Sequence, residues 1–372
     1  MKTKVFAAYL PQYHETEDNN KFWGLGYTDW VGVRKAKPQF DGHNQPKVPL
    51  NENYYDLTNY ESIAWQANLA KKYGVDGFNI YHYWFKDGKQ ELEKPAEILL
   101  RHKEIDIEFF FTWDNASWKR TWGNIQGNDW APAFDQNVNT NGSATLVEFQ
   151  YGEKPQWKAH FEYLLEFFKD DRYYKINGKP VFMFIGRNEE EKLQEMGKYW
   201  NALAIEAGFE GMYFATKKKN FFSKPVFDAD FSYEPETSAW GKRRAIEKRI
   251  HDFFGIETKR DEPVKYIYNY NNVWKKIIKN AKKYTLSQIH GCYVKYDDTP
   301  RRGKNAMMIQ GESPDLFKYY FKEFYTIMCK NKVPFILITA WNEWGEGAYL
   351  EPDETDKYGY LDALKHAIDT CV

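Results

Sequence analysis

Eight short apolar, β-rich runs recur along the chain, and most lead through a loop into an amphipathic segment. They are VFAAYLP (5–11), DGFNIYHYW (76–84), IEFFFTW (107–113), PVFMFIG (180–186), GMYFATK (211–217), DADFSYE (228–234), IHGCYVKY (289–296) and PFILITAW (334–341). Near-continuous hydrophobic runs suit strands of a parallel sheet covered on both faces. Residues 59–73 carry Ile63, Ala67 and Ala70 at helical spacing and stop at Gly74, a good residue to follow a helix end. LEKPAEILLRH, QWKAHFEYLLEFFKD, EEEKLQEMGKYWNALAIEAG, VWKKIIKNAKKY and SPDLFKYYFKEFYTIMCK repeat the helical theme. The last opens with Ser313-Pro314, an N-cap followed by Pro at the first helical position. This alternation predicts an α/β fold of the (β/α)₈ TIM-barrel type. A doubly wound open sheet is the rival, but no Gly-rich phosphate fingerprint follows any run. With no internal repeat and no Pro/Gly/Ser-rich linker, residues 1–372 read as a single domain.

The connections after the first, third and sixth runs, residues 12–58, 114–154 and 235–273, are far longer than the usual ~2–6 residues. In a barrel such loops rise on the C-terminal face, where active sites sit. The first holds WGLGYTDW and the second DNASWKRTWGN and NDWAP, so part of the aromatic content falls where a cleft would be. That content is high, with 14 Trp, 28 Tyr and 27 Phe, more than one core is expected to absorb. Surplus Trp and Tyr suit sites that are apolar in the middle and wet at the edge, a description that sugar rings fit.

A formal net charge of −1 gives no reason to expect nucleic acid as a partner. Between Trp240 and Tyr284, 13 Lys+Arg stand against 5 Asp+Glu. This excess suits an anionic glycan or membrane surface, or else the solvated side of an outer helix, and VWKKIIKNAKKY favours the second reading. Lys217, Lys218 and Lys219, after the fifth run, lie nearer the presumed cleft. Cys292, Cys329 and Cys371 are odd in number and widely spaced, which suggests neither a disulfide framework nor a zinc site. The N-terminus reads as a first strand and not a signal peptide, and no stretch approaches the ~20 apolar residues of a membrane span. A cytoplasmic protein is the expectation.

ITAWNEWGEGAYLEPD, at the end of the last run, is the most informative segment. Glu343 and Glu346 stand three apart among Trp341, Asn342 and Trp344. On a continuing strand they would be ~10 Å apart on opposite faces. Past the strand end, Gly345 and Gly347 permit a turn that brings two carboxylates to about 5–6 Å, close to the separation in retaining glycosidases. Such proximity pushes one pKa up, leaving an acid beside a base. A solvated loop pair, or a salt bridge to Arg301 or Arg302, is the alternative.

AYLPQYH near the start, YHYWF at 81–85, YDDTPRRG at 296–303 and AWNEWGEGAYLEPD at 340–353 together resemble the WbsX-like proteins, whose domain is similar to glycoside hydrolase family 99. The resemblance spans nearly the whole chain. It implies a (β/α)₈ barrel and a retaining, endo-acting, metal-independent glycosidase acting on a mannose-like glycan or bacterial-type polysaccharide. By that analogy Glu343 is the base at the substrate's 2-hydroxyl, which attacks the anomeric carbon to give a 1,2-anhydro sugar. Glu346 protonates the leaving oxygen and later activates water. The chain departs from the pattern after the third run, where relatives read Trp-Ala-Asn-Glu-Asn-Trp and this chain reads Trp113-Asp114-Asn115-Ala116-Ser117-Trp118. Ala116 replaces the Glu, and Asp114 is placed to take over part of its hydrogen bonding.

The expected substrate contacts are Tyr13, His14, Trp30, His82, Tyr83, Trp84, Trp113, Asp114, Asn115, Trp118, Trp122, Glu234, Tyr293, Trp341, Asn342 and Trp344. Strand alternation puts Tyr81 and Tyr83 on one face and His82 on the other, so one set is core. His14, His43 and His82 show no HxH or HExxH spacing, and neither a metal nor another cofactor is expected. An oligosaccharide or polysaccharide is the expected partner. Two further readings stand beside the hydrolase: a polysaccharide-biosynthesis glycosyltransferase, although no DxD-like motif has a convincing context, and a carbohydrate-binding barrel without catalysis.

Overall fold

A computed structural model describes residues 2–119, 145–186, 189–217, 226–240, 263–283, 285 and 287–371. All eight apolar runs form parallel strands of one sheet: β1 (Lys4–Tyr9), β2 (Gly77–Trp84), β3 (Glu108–Trp113), β4 (Lys179–Phe184), β5 (Tyr213–Lys217), β6 (Ala229–Phe231), β7 (Gln288–Ile289), β8 (Gly291–Tyr293) and β9 (Phe335–Thr339). The seventh run supplies two of these. β7 pairs with β6 and β8 pairs with β9, which pairs in turn with β1. His290 lies between the two, and its carbonyl accepts the Leu337 N–H at 3.2 Å, so the ring closes across it. The fold is the expected (β/α)₈ barrel.

The predicted helices are present as α3 (Tyr60–Lys72), α4 (Lys94–Arg101), α5 (Lys154–Phe168), α6 (Glu190–Glu206), α7 (Tyr270–Ala281) and α8 (Pro314–Lys330), joined by α9 (Gly359–Asp369). Gly74 follows α3 with φ +87°, and Ser313 caps α8 by accepting the Leu316 N–H. On α7, Val273, Trp274, Ile277 and Ile278 are buried while Lys275, Lys276 and Lys279 are exposed, the solvated-face reading of its lysines. Much of the basic stretch between 240 and 284 lies outside the described residues. Two helices in the first long connection, α1 (Glu17–Trp23) and α2 (Asp29–Lys35), have no counterpart in the sequence reading.

The expectation that one core cannot absorb so many aromatics is wrong. Trp30, Trp84, Trp113, Trp157, Trp200, Trp240, Trp274, Trp341 and Trp344 are all buried. Phe6, Phe110 and Phe335 meet at the bottom of the barrel with centroids 4.9–5.7 Å apart, joined by Tyr174. Rings also fill the layer between strands and helices, where Phe182 and Trp200 pack at 5.3 Å. Gly77 leaves room for the Phe6 ring of β1 and the Glu108 carbonyl of β3: a Cβ there would meet Phe6 Cε1 at 2.3 Å and that carbonyl at 2.5 Å.

Candidate active site

Past the end of β9 the chain stays tied to β1. Trp341 N–H donates to the Ala8 carbonyl (2.7 Å), and the Asn342 side chain takes the Leu10 N–H (2.8 Å) while donating to the Leu10 carbonyl (3.0 Å). Asn342–Glu343 then pairs antiparallel with Ala348–Tyr349 around a 3₁₀ turn, Trp344–Glu346. The two glycines serve different ends. Gly347 adopts φ +57°, whereas a Cβ on Gly345 would meet Arg301 Nε at 2.6 Å. The turn is therefore shaped to lie against a guanidinium.

Arg301 ties the two glutamates together. Its Nη2 donates to Glu343 Oε1 (2.9 Å) and Asp29 Oδ2 (2.8 Å), and its Nη1 to Glu346 Oε1 (3.1 Å). Asp29 comes from the first turn of α2 and also accepts from Gln12. The YDDTPRRG segment presents the arginine from a single helical turn, Thr299–Arg302. There Asp297 Oδ1 accepts the Thr299 N–H (3.0 Å), and Asp297 Oδ2 takes Gln45 Nε2 (2.7 Å) and pairs with His43 Nε2 (2.8 Å). Asp298 accepts the Met307 N–H (2.6 Å) and pairs with Arg302 Nε (3.0 Å).

Among the described residues, one guanidinium faces three carboxylates in a buried place. Burial pushes the Glu343 carboxyl up to about 8 against the pull of Arg301, with Glu346 and Asp29 adding to the rise. The expected raised carboxyl is present, but desolvation outweighs repulsion within the pair.

Of the expected sugar contacts, three described side chains are half-buried or border the mouth, and Lys217 joins them. Tyr83 feels the charges of Asp114, Glu343 and Asp29, and Trp118 meets it edge-on at 5.4 Å. Asp114 is half-buried and raised to about 6 by desolvation, with Lys217 pulling it down. Lys217 pairs with Glu236 (2.5 Å) and lies 5.0 Å above the Tyr233 ring. Trp122, Lys218 and Lys219 lie outside the described residues.

The rest are packed or pinned elsewhere. His82 points outward from β2 to α5, where its Nε2 meets His160 Nε2 at 2.7 Å, and burial holds it near pKa 3. Trp84 stacks on His160 at 4.2 Å and 4°, and Trp113 meets the same ring at 4.7 Å. The His82 set is thus the core one. Asn115 binds Gly186 N and O and the Tyr151 hydroxyl, fixing the β3 loop to the end of β4. Glu234 accepts the Ser238 N–H and hydroxyl, and burial raises it to about 8. Tyr293 packs against Tyr270 and Trp274 on the helix side. His14 is buried near Asp56 and Lys94, charges other than the two glutamates, and desolvation lowers it to about 4.

Several residues support the glutamate turn from behind. The Tyr13 hydroxyl accepts the Trp344 N–H (3.0 Å), and Trp30 packs between Tyr13 and Trp344 while its Nε1 donates to the Tyr55 carbonyl (2.8 Å). Trp344 stacks on Tyr349 at 3.7 Å and donates to Glu351 (2.7 Å), which also accepts from Tyr55 and Gln66. Trp341 is buried beside Phe78. These are positioning residues for the turn.

Sequence reasoning missed Asp29, Tyr233 and Tyr27, which feels the charges of Asp29 and Arg301, placed Tyr81 only by its parity with Tyr83, and met Arg301 only inside YDDTPRRG and as a rival explanation of the glutamates. The Tyr81 hydroxyl donates to that of Tyr233 (2.8 Å), whose ring feels Glu346 and Glu343. Strand parity was the available signal for Tyr81. Asp29 and Arg301, 272 positions apart, offered none.

The curated relatives that the chain matches include the uncharacterized protein WxcX of Xanthomonas campestris pv. campestris strain B100, 26% identical over 377 residues, 98% of this chain and 49% of WxcX. The chain spans about half the length of the curated relatives it matches. Among solved structures, the GH99 endo-alpha-mannosidase from Bacteroides thetaiotaomicron superposes with a TM-score of 0.55 at 14% identity, over 98% of this chain and 96% of that one. A glycoside hydrolase-like protein gives 0.54 at 12% identity, over 99% and 94%. Both share the fold. The family model described as Glycosyltransferase WbsX matches residues 5–364, and the chain belongs to that family.

Proposed function

We propose that this protein is a retaining, endo-acting glycoside hydrolase that cleaves inside a mannose-like glycan or bacterial-type polysaccharide. The observation that carries the reading is the junction of Glu343 and Glu346 on one guanidinium at the C-terminal end of the barrel. One protonated carboxyl beside one ionised carboxylate is what acid–base cleavage of a glycosidic bond requires. In the first step Glu346 gives a proton to the leaving oxygen while Glu343 takes one from the 2-hydroxyl. O2 then attacks the anomeric carbon as its bond to the leaving oxygen breaks, giving a 1,2-anhydro sugar. In the second, Glu346 takes a proton from water, which opens that ring at the anomeric carbon, and Glu343 returns its proton to O2. Two inversions give net retention. The reactive form carries one proton on the pair, with Glu346 protonated and Glu343 ionised, and the apparent pKa values belong to the pair.

Transfer to a sugar acceptor is the second reading, favoured by the family's description as a glycosyltransferase. Chemically it replaces water with a hydroxyl in the second step, or uses an activated donor in the first. The test is to incubate the protein with mannose-, rhamnose- and galactose-containing oligosaccharides, with and without nucleotide sugars. New reducing ends without a nucleotide sugar support hydrolysis, while elongation that depends on one supports transfer and overturns it.

A further inference from the structure

The first long connection carries a built feature that the glutamate site does not use. α1 ends in the tip Trp23-Gly24-Leu25-Gly26-Tyr27, which Asn20 clips shut. The Asn20 carbonyl takes the Gly24 N–H (3.0 Å), and its side-chain oxygen takes the N–H of Gly26 (2.9 Å) and Tyr27 (3.2 Å). Gly24 and Gly26 have φ of +104° and +81°, and a Cβ on either would meet nothing within 4 Å. The tip is therefore held in shape by its own hydrogen bonds, with Trp23 resting partly on the core and Gly24, Leu25 and Gly26 standing clear of the other described residues. It presents Leu25 at 94% exposure, beside the half-buried rings of Trp23 and Tyr27, stacked 5.8 Å apart at 29°.

An exposed leucine held out by ordered backbone forgoes the stabilisation of burial. An incoming apolar surface would recover it. The tip adjoins the candidate site: Tyr27 is two residues from Asp29, whose carboxylate meets the same Arg301 that holds Glu343 and Glu346. Three side chains offer at most about 500 Å² of apolar surface, below the ~800 Å² per partner of a stable protein interface. That area suits a sugar ring, whose C–H face packs on aromatic and aliphatic side chains while its hydroxyls stay wet.

We propose that the Trp23–Tyr27 tip is a carbohydrate-binding shelf that takes a pyranose of the same glycan chain, beyond the sugar held at Glu343 and Glu346. The inference rests on the hydrolase reading and deepens it, because a shelf outside the reacting sugar selects for chain length. The preferred substrate is then an oligosaccharide long enough to span both places.

The test titrates Glu346→Gln, which holds glycan uncleaved, with a manno-disaccharide and a manno-hexasaccharide and with the corresponding rhamnose and galactose series. Leu25→Asp and Trp23→Ala are then added singly to that background. Leu25 is exposed, so Leu25→Asp does not threaten folding. For the series that binds, the shelf predicts unchanged affinity for the disaccharide and a loss of about tenfold or more for the hexasaccharide. Equal losses at both lengths, or none in either variant, overturn the shelf and leave the hydrolase reading standing. If no series binds and the parent cleaves none, the hydrolase reading falls and the shelf with it. A dimer of the parent that Leu25→Asp dissociates, without change in glycan affinity, assigns the tip to a second copy of the chain instead.

Discussion

Two clusters of buried titratable side chains occupy neighbouring parts of the barrel and differ in what surrounds them. Behind the wall, His82 and His160 share one hydrogen bond inside a box made by Trp84, Trp113 and Trp200, and both are driven neutral by burial. At the mouth, Asp29, Glu343 and Glu346 converge on Arg301, three carboxylates on one guanidinium among the described residues. The first cluster is satisfied and enclosed. The second sets three carboxylates on one guanidinium, and Asp29 and Glu346 are not fully enclosed. Burial alone therefore does not separate the two; carboxylates gathered on one cation at the C-terminal end of the strands are what make the second the candidate site.

The comparison breaks most visibly if Glu346 proves dispensable. Glu346→Gln should lower glycan cleavage by ~10²–10⁴ while leaving binding in place, as measured by turnover and by titration with the same oligosaccharide. Arg301→Gln should come next, destabilising the fold by about 3–5 kcal/mol near neutral pH because three carboxylates lose their shared cation. Urea unfolding should show that loss shrinking at acid pH, where the carboxylates are protonated.

The histidine pair should behave in the opposite way. His160→Leu should cost about 1–3 kcal/mol by leaving His82 without its partner, with no change in turnover. The His82 imidazole is lowered from its ordinary value to about 3, so between pH 6.5 and 3 the unfolded chain binds a proton that the native one refuses. Stability falls as pH drops through that window. Replacing both histidines with Phe should flatten that part of the acid loss, whereas a fall in turnover would place the pair in the site after all. The smallest effect expected is a shift in the pH profile. Asp29 helps raise Glu343, so Asp29→Asn should move the rising limb of kcat/KM to lower pH.

Much of this architecture was legible in the chain. The eight apolar runs and their intervening helices carry strong periodic signals, and Gly74 and Ser313 mark helix ends by local chemistry alone. α1 and α2 are seven residues each, too short for periodicity to reveal them. The tryptophans misled for a physical reason: a ring that packs between a strand and a helix and a ring that stacks on a sugar have the same composition signature. Strand parity separated His82 from Tyr81 and Tyr83, but choosing which set faces inward needed the partner His160, 78 positions away. Glu343 and Glu346 were visible through their spacing and glycines, while the arginine and aspartate that complete the cluster arrive from distant loops.

The most direct test of the paired glutamates uses the 2-position of the sugar on the non-reducing side of the cleaved bond. With the 2-hydroxyl as nucleophile, a 2-deoxy substrate should bind yet scarcely turn over, and a 2-fluoro sugar with an activated leaving group should leave the intact mass of the protein unchanged. A stable adduct on Glu343, or efficient cleavage of the 2-deoxy substrate, would contradict the assignment of Glu343 as the base.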